Sequence, residues 1–255
     1  MTSHLRCKNV TVSFGGVVAC NKISLDVEKG KIVGLIGPNG AGKTTFFNVL
    51  SRFDDCREGN IEFNGVSILN KKPHQMIGMG MARTFQNINL FSGQTTLDNI
   101  LTGAHHRTGN PFSNMMWLPA ARKNEKAIRD RAIAIAELLH LENELDKEVS
   151  NLPYGHQKKV ELARALAAEP EMILLDEPVA GCNGEETAEL KEIVRKVNKE
   201  MGITVFLVEH DMSMVMSVCD YIYVINFGIN LAEGRPLEIQ SNPDVIGAYL
   251  GEEIE

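Results

Sequence analysis

The run Gly37-Pro38-Asn39-Gly40-Ala41-Gly42-Lys43-Thr44 constrains this chain more than any other stretch. It fits G-x-x-x-x-G-K-[ST], a glycine-rich turn that joins a strand to a helix and cradles nucleotide phosphates. The flanks suit that geometry: Lys31 to Ile36 reads as a buried strand and Thr45 to Phe53 as a helix. Such a turn aims successive backbone N–H groups into one concavity, and the positive end of the helix dipole adds attraction for an anion. Gly40 and Gly42 let the backbone approach phosphate oxygens where a Cβ would clash. Lys43 supplies a point charge for the β- and γ-phosphates, and the Thr44 hydroxyl is placed for Mg²⁺.

With 255 residues the chain buries one sizeable core and has room for a smaller subdomain. A net charge of −7 argues against a nucleic-acid partner. The start, Met1 to Arg6, has no apolar run to act as a signal peptide, and no stretch approaches the ~20 apolar residues of a membrane helix. The chain is therefore expected to be soluble by itself. Cys7, Cys20, Cys56, Cys182 and Cys219 are scattered, odd in number and free of C-x-x-C spacing, which suits a reducing cytosol.

Leu5 to Val12 and Val17 to Val27 read as strands joined around Gly15-Gly16, and Asn64-Gly65 marks a hairpin between Asn60–Phe63 and Val66–Leu69. From Asn87 to Ser150 strand signals are scarce, while Ile128, Ala132, Ile135 and Leu139 recur at helical spacing. Met172 to Leu175 and Ile203 to Val208 are continuous apolar runs, the pattern of strands buried on both faces. The charged helix Glu186 to Glu200 between them completes a βαβ unit. The expected fold is α/β: a phosphate-loop core of mixed sheet and flanking helices, an antiparallel β subdomain and an inserted helical subdomain. Residues 1–86 and 151–255 form the core with its β subdomain, and residues 87–150 the insertion.

Asp176 and Glu177 follow the apolar strand, at the carboxyl end where open α/β sheets bind ligands. Asp176 is placed to hold Mg²⁺, and Glu177 to orient and deprotonate an attacking water.

The order of these motifs resembles the ATP-binding cassette ATPases over nearly the whole chain. The resemblance implies that Phe14 stacks on adenine and that residues Gly37, Pro38, Asn39, Gly40, Ala41, Gly42, Lys43, Thr44 and Thr45 hold the ATP phosphates. Gln86, in Arg83-Thr84-Phe85-Gln86, matches the glutamine loop that senses Mg²⁺ and γ-phosphate, so the metal set is Thr44, Gln86 and Asp176. His210 matches the switch histidine, which makes Glu177, His210 and Gln86 the catalytic group. Leu152-Pro153-Tyr154-Gly155-His156 sits where the family carries its L-S-G-G-Q signature, which completes the nucleotide site of a second subunit. Pro153 replaces the serine and brings neither a hydroxyl nor an N–H, so Tyr154 and Gly155 are left to offer theirs. Cys182 stands in the interface loop where a larger aliphatic is common, and Gly184 replaces a common proline.

Within the family, Ala82-Arg83-Thr84-Phe85-Gln86-Asn87, the L-P-Y-G-x-Q signature, Ala180-Gly181-x-Asn183 and the tail Asn242 to Gly251 resemble the ATP-binding subunit of branched-chain amino-acid importers. The insert with Asn110-Pro111-Phe112 and Met115-Met116-Trp117-Leu118-Pro119 fits as well. That likeness implies permease subunits, a second ATP-binding subunit in a heterodimer or homodimer, and indirectly a periplasmic binding protein. It places the chain peripherally on the cytoplasmic face of the inner membrane, with a groove around Phe85 to Phe91 and Trp117 receiving a short permease helix. A urea or other amide importer shares these strings. Non-transport cassettes are a different class: no sustained heptads of a repair protein appear, and there is one cassette where translation factors hold two, while a cofactor-assembly scaffold stays open.

Overall fold

A computed structural model describes residues 3–105 and 119–250. Its strands are β1 (Ser3–Phe14), β2 (Val17–Glu28), β3 (Ile32–Ile36), β4 (Glu58–Phe63), β5 (Val66–Ser67), β6 (Met81–Arg83), β7 (Met172–Asp176), β8 (Thr204–Val208), β9 (Tyr221–Asn226) and β10 (Ile229–Gly234). The helices are α1 (Lys43–Leu50), α2 (Pro73–Gly78), α3 (Thr96–Gly103), α4 (Pro119–Leu138), α5 (Tyr154–Ala167), α6 (Gly184–Met201), α7 (Met212–Val218), α8 (Pro236–Gln240) and α9 (Pro243–Leu250). Residues Asn110, Pro111, Phe112, Met115, Met116, Trp117, Leu118 and Gly251, singled out in the sequence, lie outside the described residues.

The continuous apolar runs become the middle of a six-stranded sheet, ordered β10-β9-β3-β8-β7-β6, with every residue of β3, β7 and β8 buried. All neighbours pair in parallel except β10 on β9. Side chains alternate between two cores, as the pleat requires. Ile32, Ile36, Ile173, Leu175, Val205 and Leu207 face the helices α3 to α8. Val33, Leu35, Met172, Leu174, Phe206 and Val208 pack on α1 and on a second sheet. That sheet is antiparallel, in the order β2-β1-β4-β5. Its tight turns use positive φ at both central residues, Gly15 and Gly16 in one and Asn64 and Gly65 in the other, the geometry that matches strand twist.

The helix predicted over 45–53 runs instead from Lys43 to Leu50. Gly42, at φ 99°, caps it two residues earlier, and Arg52 at φ 64° turns the chain away after it. Asp176 is the last residue of β7 rather than the first beyond it. Between residues 87 and 150 the described elements are α3, α4 and a 3₁₀ turn at Val149–Asn151, with one isolated bridge, Thr95 to Glu148. Ala132, Ile135 and Leu139 are buried and Ile128 packs beside them, as their spacing predicts. Among the described residues no helix is long and apolar enough to cross a membrane.

Helix α5 packs against α3 and α4, and Gly103 of α3 lies against its backbone. A Cβ built there would lie 1.8 Å from the Arg164 carbonyl oxygen. Gly103→Ala must therefore push α3 off α5, at a cost of about 1–3 kcal/mol for an overpacked contact. A urea titration followed by circular dichroism should show a lowered midpoint; an unchanged one would mean the two helices do not meet there.

Candidate functional site

The phosphate loop lies at the carboxyl end of β3, in the middle of the sheet, and runs into α1. Phe46 N–H donates to Gly42 O at 2.9 Å, which closes the first turn of the helix. The Lys43 ammonium lies along the loop, donating to Gly37 O at 2.6 Å and Pro38 O at 2.8 Å. Gly40 is open on its Cβ side, with nothing within 4 Å, whereas Gly42 is held by packing: a Cβ there would meet Ala19 O at 2.5 Å. Strand β2 thus presses on the loop at Ala19, and Cys20 Sγ–H reaches Gly42 O at 3.6 Å. The β1–β2 tip beyond these residues exposes Phe14, Val17 and Val18 together. The sequence singled out Phe14 alone of these, because the valines read as ordinary strand residues.

Three predicted side chains converge beyond the ends of β6, β7 and β8. Gln86 Nε2 donates to Glu177 Oε2 at 2.8 Å, and His210 Nδ1 lies 3.7 Å from the same oxygen. Glu177 holds φ 48°, a left-handed conformation that costs an L-residue roughly 1–3 kcal/mol. Its N–H bonds to Val208 O at 2.9 Å, and Ala180 N–H returns to its carbonyl at 3.2 Å, so the turn is fixed from both sides. Beneath it, the buried Glu209 accepts from the N–H groups of Val179, His210 and Asp211, at 3.0, 3.1 and 3.3 Å. Burial pushes the Glu209 carboxyl up from its ordinary value, against the pull of those backbone donors.

Asp176 has a partner that sequence reasoning did not assign a role. Arg83 Nη2 donates to Asp176 Oδ2 at 2.7 Å, both side chains being buried. β6 and β7 pair in parallel, with Arg83 beside Leu174, so the alternation sends both groups to the α1 side of the sheet.

Three side chains of α5, spaced three apart, fasten the segment around Gln86. Lys158 Nζ donates to Gln86 O at 2.9 Å and reaches Glu177 O at 3.5 Å. Glu161 Oε1 accepts from Phe85 N–H at 3.3 Å, and Arg164 Nη1 donates to Asn89 O at 2.6 Å. Lys158 and Glu161 are buried. Charged residues on a helix ordinarily mark its solvated face, so spacing gave no signal for them.

At the start of α5, Pro153 is the N-cap and makes no side-chain capping bond. Gly155 N–H, offered by the sequence to a second subunit's nucleotide, donates here to Glu186 Oε1 at 3.2 Å. Tyr154 is exposed and lies under the Lys158 ammonium, 5.8 Å from ring centre to nitrogen. His156 Nδ1 lies 3.8 Å from Glu144 Oε1, turned toward its own chain. A cavity of about 620 Å³ lies elsewhere, around Arg6, Asp26, Lys31 and Asp220. Those charges pair internally, Arg6 with Asp26 and Lys31 with Asp220, and none belongs to the cluster above.

Comparison with known proteins places this geometry. The ABC transporter family matches residues 20–180, and a second family, branched-chain amino acid ATP-binding cassette transporters, matches residues 230–255. The chain is 41% identical over 249 residues to the high-affinity branched-chain amino acid transport ATP-binding protein BraF of Pseudomonas aeruginosa, covering 97% of this chain and 98% of that one. It is 42% identical over 250 residues to LivG of Salmonella typhimurium, which carries the same description, with the same coverage. The crystal structure of the ADP conformation of an ATP-binding cassette of an ABC transporter superposes with a TM-score of 0.86 at 32% identity, covering 98% of this chain and 100% of that one. Sequence and fold agree, and the chain belongs to the ABC transporter family as one of its ATP-binding cassettes.

Proposed function

We propose that this chain is the ATP-hydrolysing subunit of an importer for branched-chain amino acids, seated on the cytoplasmic face of the inner membrane. The observation that carries the catalytic part is the meeting of Gln86 and His210 on one oxygen of Glu177, beside a phosphate loop. The relatives' names and the match over residues 230–255 support the substrate class transported. In this reading the core comprises residues 1–86 and 151–255, and residues 87–150 are its helical insertion.

Lys43 and the loop N–H groups of residues 37 and 39–45 bind the phosphates, and Phe14 stacks on adenine. Glu177 takes the proton of the attacking water, oriented by Gln86, while His210 contacts the γ-phosphate. Thr44, Gln86 and Asp176 offer hard oxygen donors of the kind Mg²⁺ takes, and bound Mg²⁺ would neutralise charge on the phosphates. The partners are permease subunits, a periplasmic binding protein at one remove, and a second ATP-binding subunit. Head to tail, this chain's Pro153 to His156 segment would complete the other subunit's site.

Glu177→Gln should slow hydrolysis roughly 100- to 10,000-fold and leave ATP binding intact, whereas Lys43→Ala should weaken binding itself. Single-turnover assays beside equilibrium titration separate the two; wild-type turnover in Glu177→Gln would remove that residue from the mechanism. Phe14→Ala should weaken ATP and GTP alike, by about 1–3 kcal/mol if stacking on nucleic-acid bases is a guide. An unchanged ATP affinity would place adenine elsewhere. Pro153→Ser should restore a hydroxyl contact to the partner's phosphate, about 1.5–3 kcal/mol for a charged acceptor, and leave this chain's own site nearly untouched. Reconstituted heterodimers with one catalytic glutamate at a time changed to Gln would read this out. A change confined to the site built on Lys43 would contradict the head-to-tail arrangement.

A further inference from the structure

The cavity of about 620 Å³ is lined by β1 and β2 of one sheet and by the starts of β3 and β9 of the other. Its volume is that of a small-molecule site. β3 leads from it at Val33 to the phosphate loop at Gly37, about 13 Å away at the rise of a strand, so it is separate from the nucleotide site. One wall is apolar and rigid. Val33 and Tyr223 are buried, and Tyr221 stands edge-on to Tyr223 with ring centres 5.3 Å apart. The Tyr223 hydroxyl accepts from Asp26 N–H at 3.1 Å and donates to Asp26 O at 3.0 Å, which clamps β9 to β2.

Three cations, Arg6, Lys31 and Arg235, are balanced around this wall by three carboxylates, Asp26, Glu28 and Asp220. Lys31 and Asp220 are engaged, since Asp220 accepts from Lys31 Nζ at 3.4 Å and from Ile32 N–H at 2.9 Å. Arg6 and Asp26 are only half engaged. Arg6 Nε donates to Asp26 Oδ2 at 3.0 Å, which leaves the Arg6 Nη groups and Asp26 Oδ1 without a partner among the described residues. The two side chains are 45% and 42% exposed, and an ion pair so exposed holds its partners weakly. The Arg235 guanidinium and the Glu28 carboxylate have no ion pair or hydrogen bond among the described residues. A simple anion in this cavity would meet Asp26 and Glu28, and a simple cation would meet Arg6 and Arg235. A molecule that carries both charges a few ångströms apart satisfies both poles.

We propose that this cavity is a binding site for a free α-amino acid with an apolar side chain. The carboxylate lies on Arg235 and the Nη groups of Arg6, whose planar forks match it. The ammonium lies on Asp26 Oδ1 and Glu28, and the side chain rests against Tyr221 and Val33. The choice of a branched aliphatic amino acid such as leucine rests on the reading of this chain as an importer subunit; the choice of a zwitterion does not. Arg235 falls within residues 230–255, the segment whose family match supports that reading. In that setting the ligand is the product of transport, on the side of the membrane where this subunit sits.

The test titrates the isolated chain with leucine by calorimetry. Saturable binding with a Kd of about 1 mM or tighter is expected. 4-Methylpentanoate lacks the ammonium, 3-methylbutylamine lacks the carboxylate and glycine lacks the side chain, and each should bind at least tenfold more weakly. Arg235→Met and Glu28→Gln should each weaken leucine about tenfold, with Mg²⁺-ATP affinity within about twofold of wild type. Arg235 is exposed and Glu28 partly so, and the ATP titration also checks that each variant is folded. If one variant fails to fold, the other decides. No leucine binding by the wild type overturns the site, as does binding that survives substitution. Either single-charge analogue binding as well as leucine overturns the zwitterion, and glycine doing so overturns the apolar side chain. Leucine-stimulated hydrolysis by the chain assembled with permease subunits and a leucine-binding protein tests the importer reading separately. Its absence overturns that reading, while leucine against its single-charge analogues still decides whether the cavity takes a zwitterion.

Discussion

Backbone atoms of neighbouring strands press so closely on the phosphate loop that a Cβ on Gly37 would lie 2.0 Å from Ile225 O, and one on Gly42 2.5 Å from Ala19 O. The cradle is thus moulded from outside as well as by its own glycines. β9 packs against one end of the loop and β2 against the other, and the β9–β10 turn joins them: Gly228 N–H donates to Ala41 O at 3.1 Å, and Asn21 N–H to Gly228 O at 2.7 Å. Both sheets must therefore be in place before the loop has its shape. The parallel sheet fixes where β3 ends, and the antiparallel sheet supplies the wall beyond which Phe14, Val17 and Val18 stand exposed.

Helix α5 does for the proposed catalytic cluster what the strands do for the loop. Lys158, Glu161 and Arg164 tie it to the backbone at Gln86, Phe85 and Asn89, so α5 and the Gln86 segment are held as one body. Burying such charges is unfavourable unless each is well partnered. Glu161 shows the strain, its carboxyl pushed up by burial and pulled back by Phe85 N–H and Lys158. Side chains bonded to its main chain leave the loop little freedom. A motion of α5 thereby reaches Gln86 directly, and through Gln86 the oxygen of Glu177 that His210 also faces.

Much of this was legible in the chain because it is written in short-range patterns. The apolar runs at 32–36, 172–175 and 203–208 announced strands buried on both faces, and turn pairs such as Asn64-Gly65 announced hairpins. Asp176 and Glu177 stood out because a strand's carboxyl end is where chemistry collects. The contacts that tune those residues were not legible, since they join positions far apart in the chain. Arg83 meets Asp176 across 93 residues, Lys158 meets Gln86 across 72, and Gly155 meets Glu186 across 31. No local period encodes such pairs, and Arg83 read only as part of a family string. The early start of α1 had a local cause that propensity understates: Gly42 in the left-handed region caps the helix where Thr45 seemed its first residue.

The start of α5, proposed to complete a second subunit's nucleotide site, is satisfied here within its own chain. Pro153 gives the helix no side-chain cap, and a helix N-terminus attracts an anion. Glu186 supplies it: Oε1 accepts Gly155 N–H at 3.2 Å, while Oε2 accepts Asn183 N–H at 2.9 Å in the capping box of α6. One carboxylate therefore serves two helix starts. A phosphate brought to α5 by another subunit would meet an N–H that is already paired, so the exchange replaces one charged acceptor by another rather than creating a bond from nothing. The displaced carboxylate does not lose its place, because its second oxygen still closes the α6 cap. Removal of the anion from α5 would thus be made mild by a bond that has nothing to do with nucleotide, and the loop that ends in Asn183 is held by the same carboxylate.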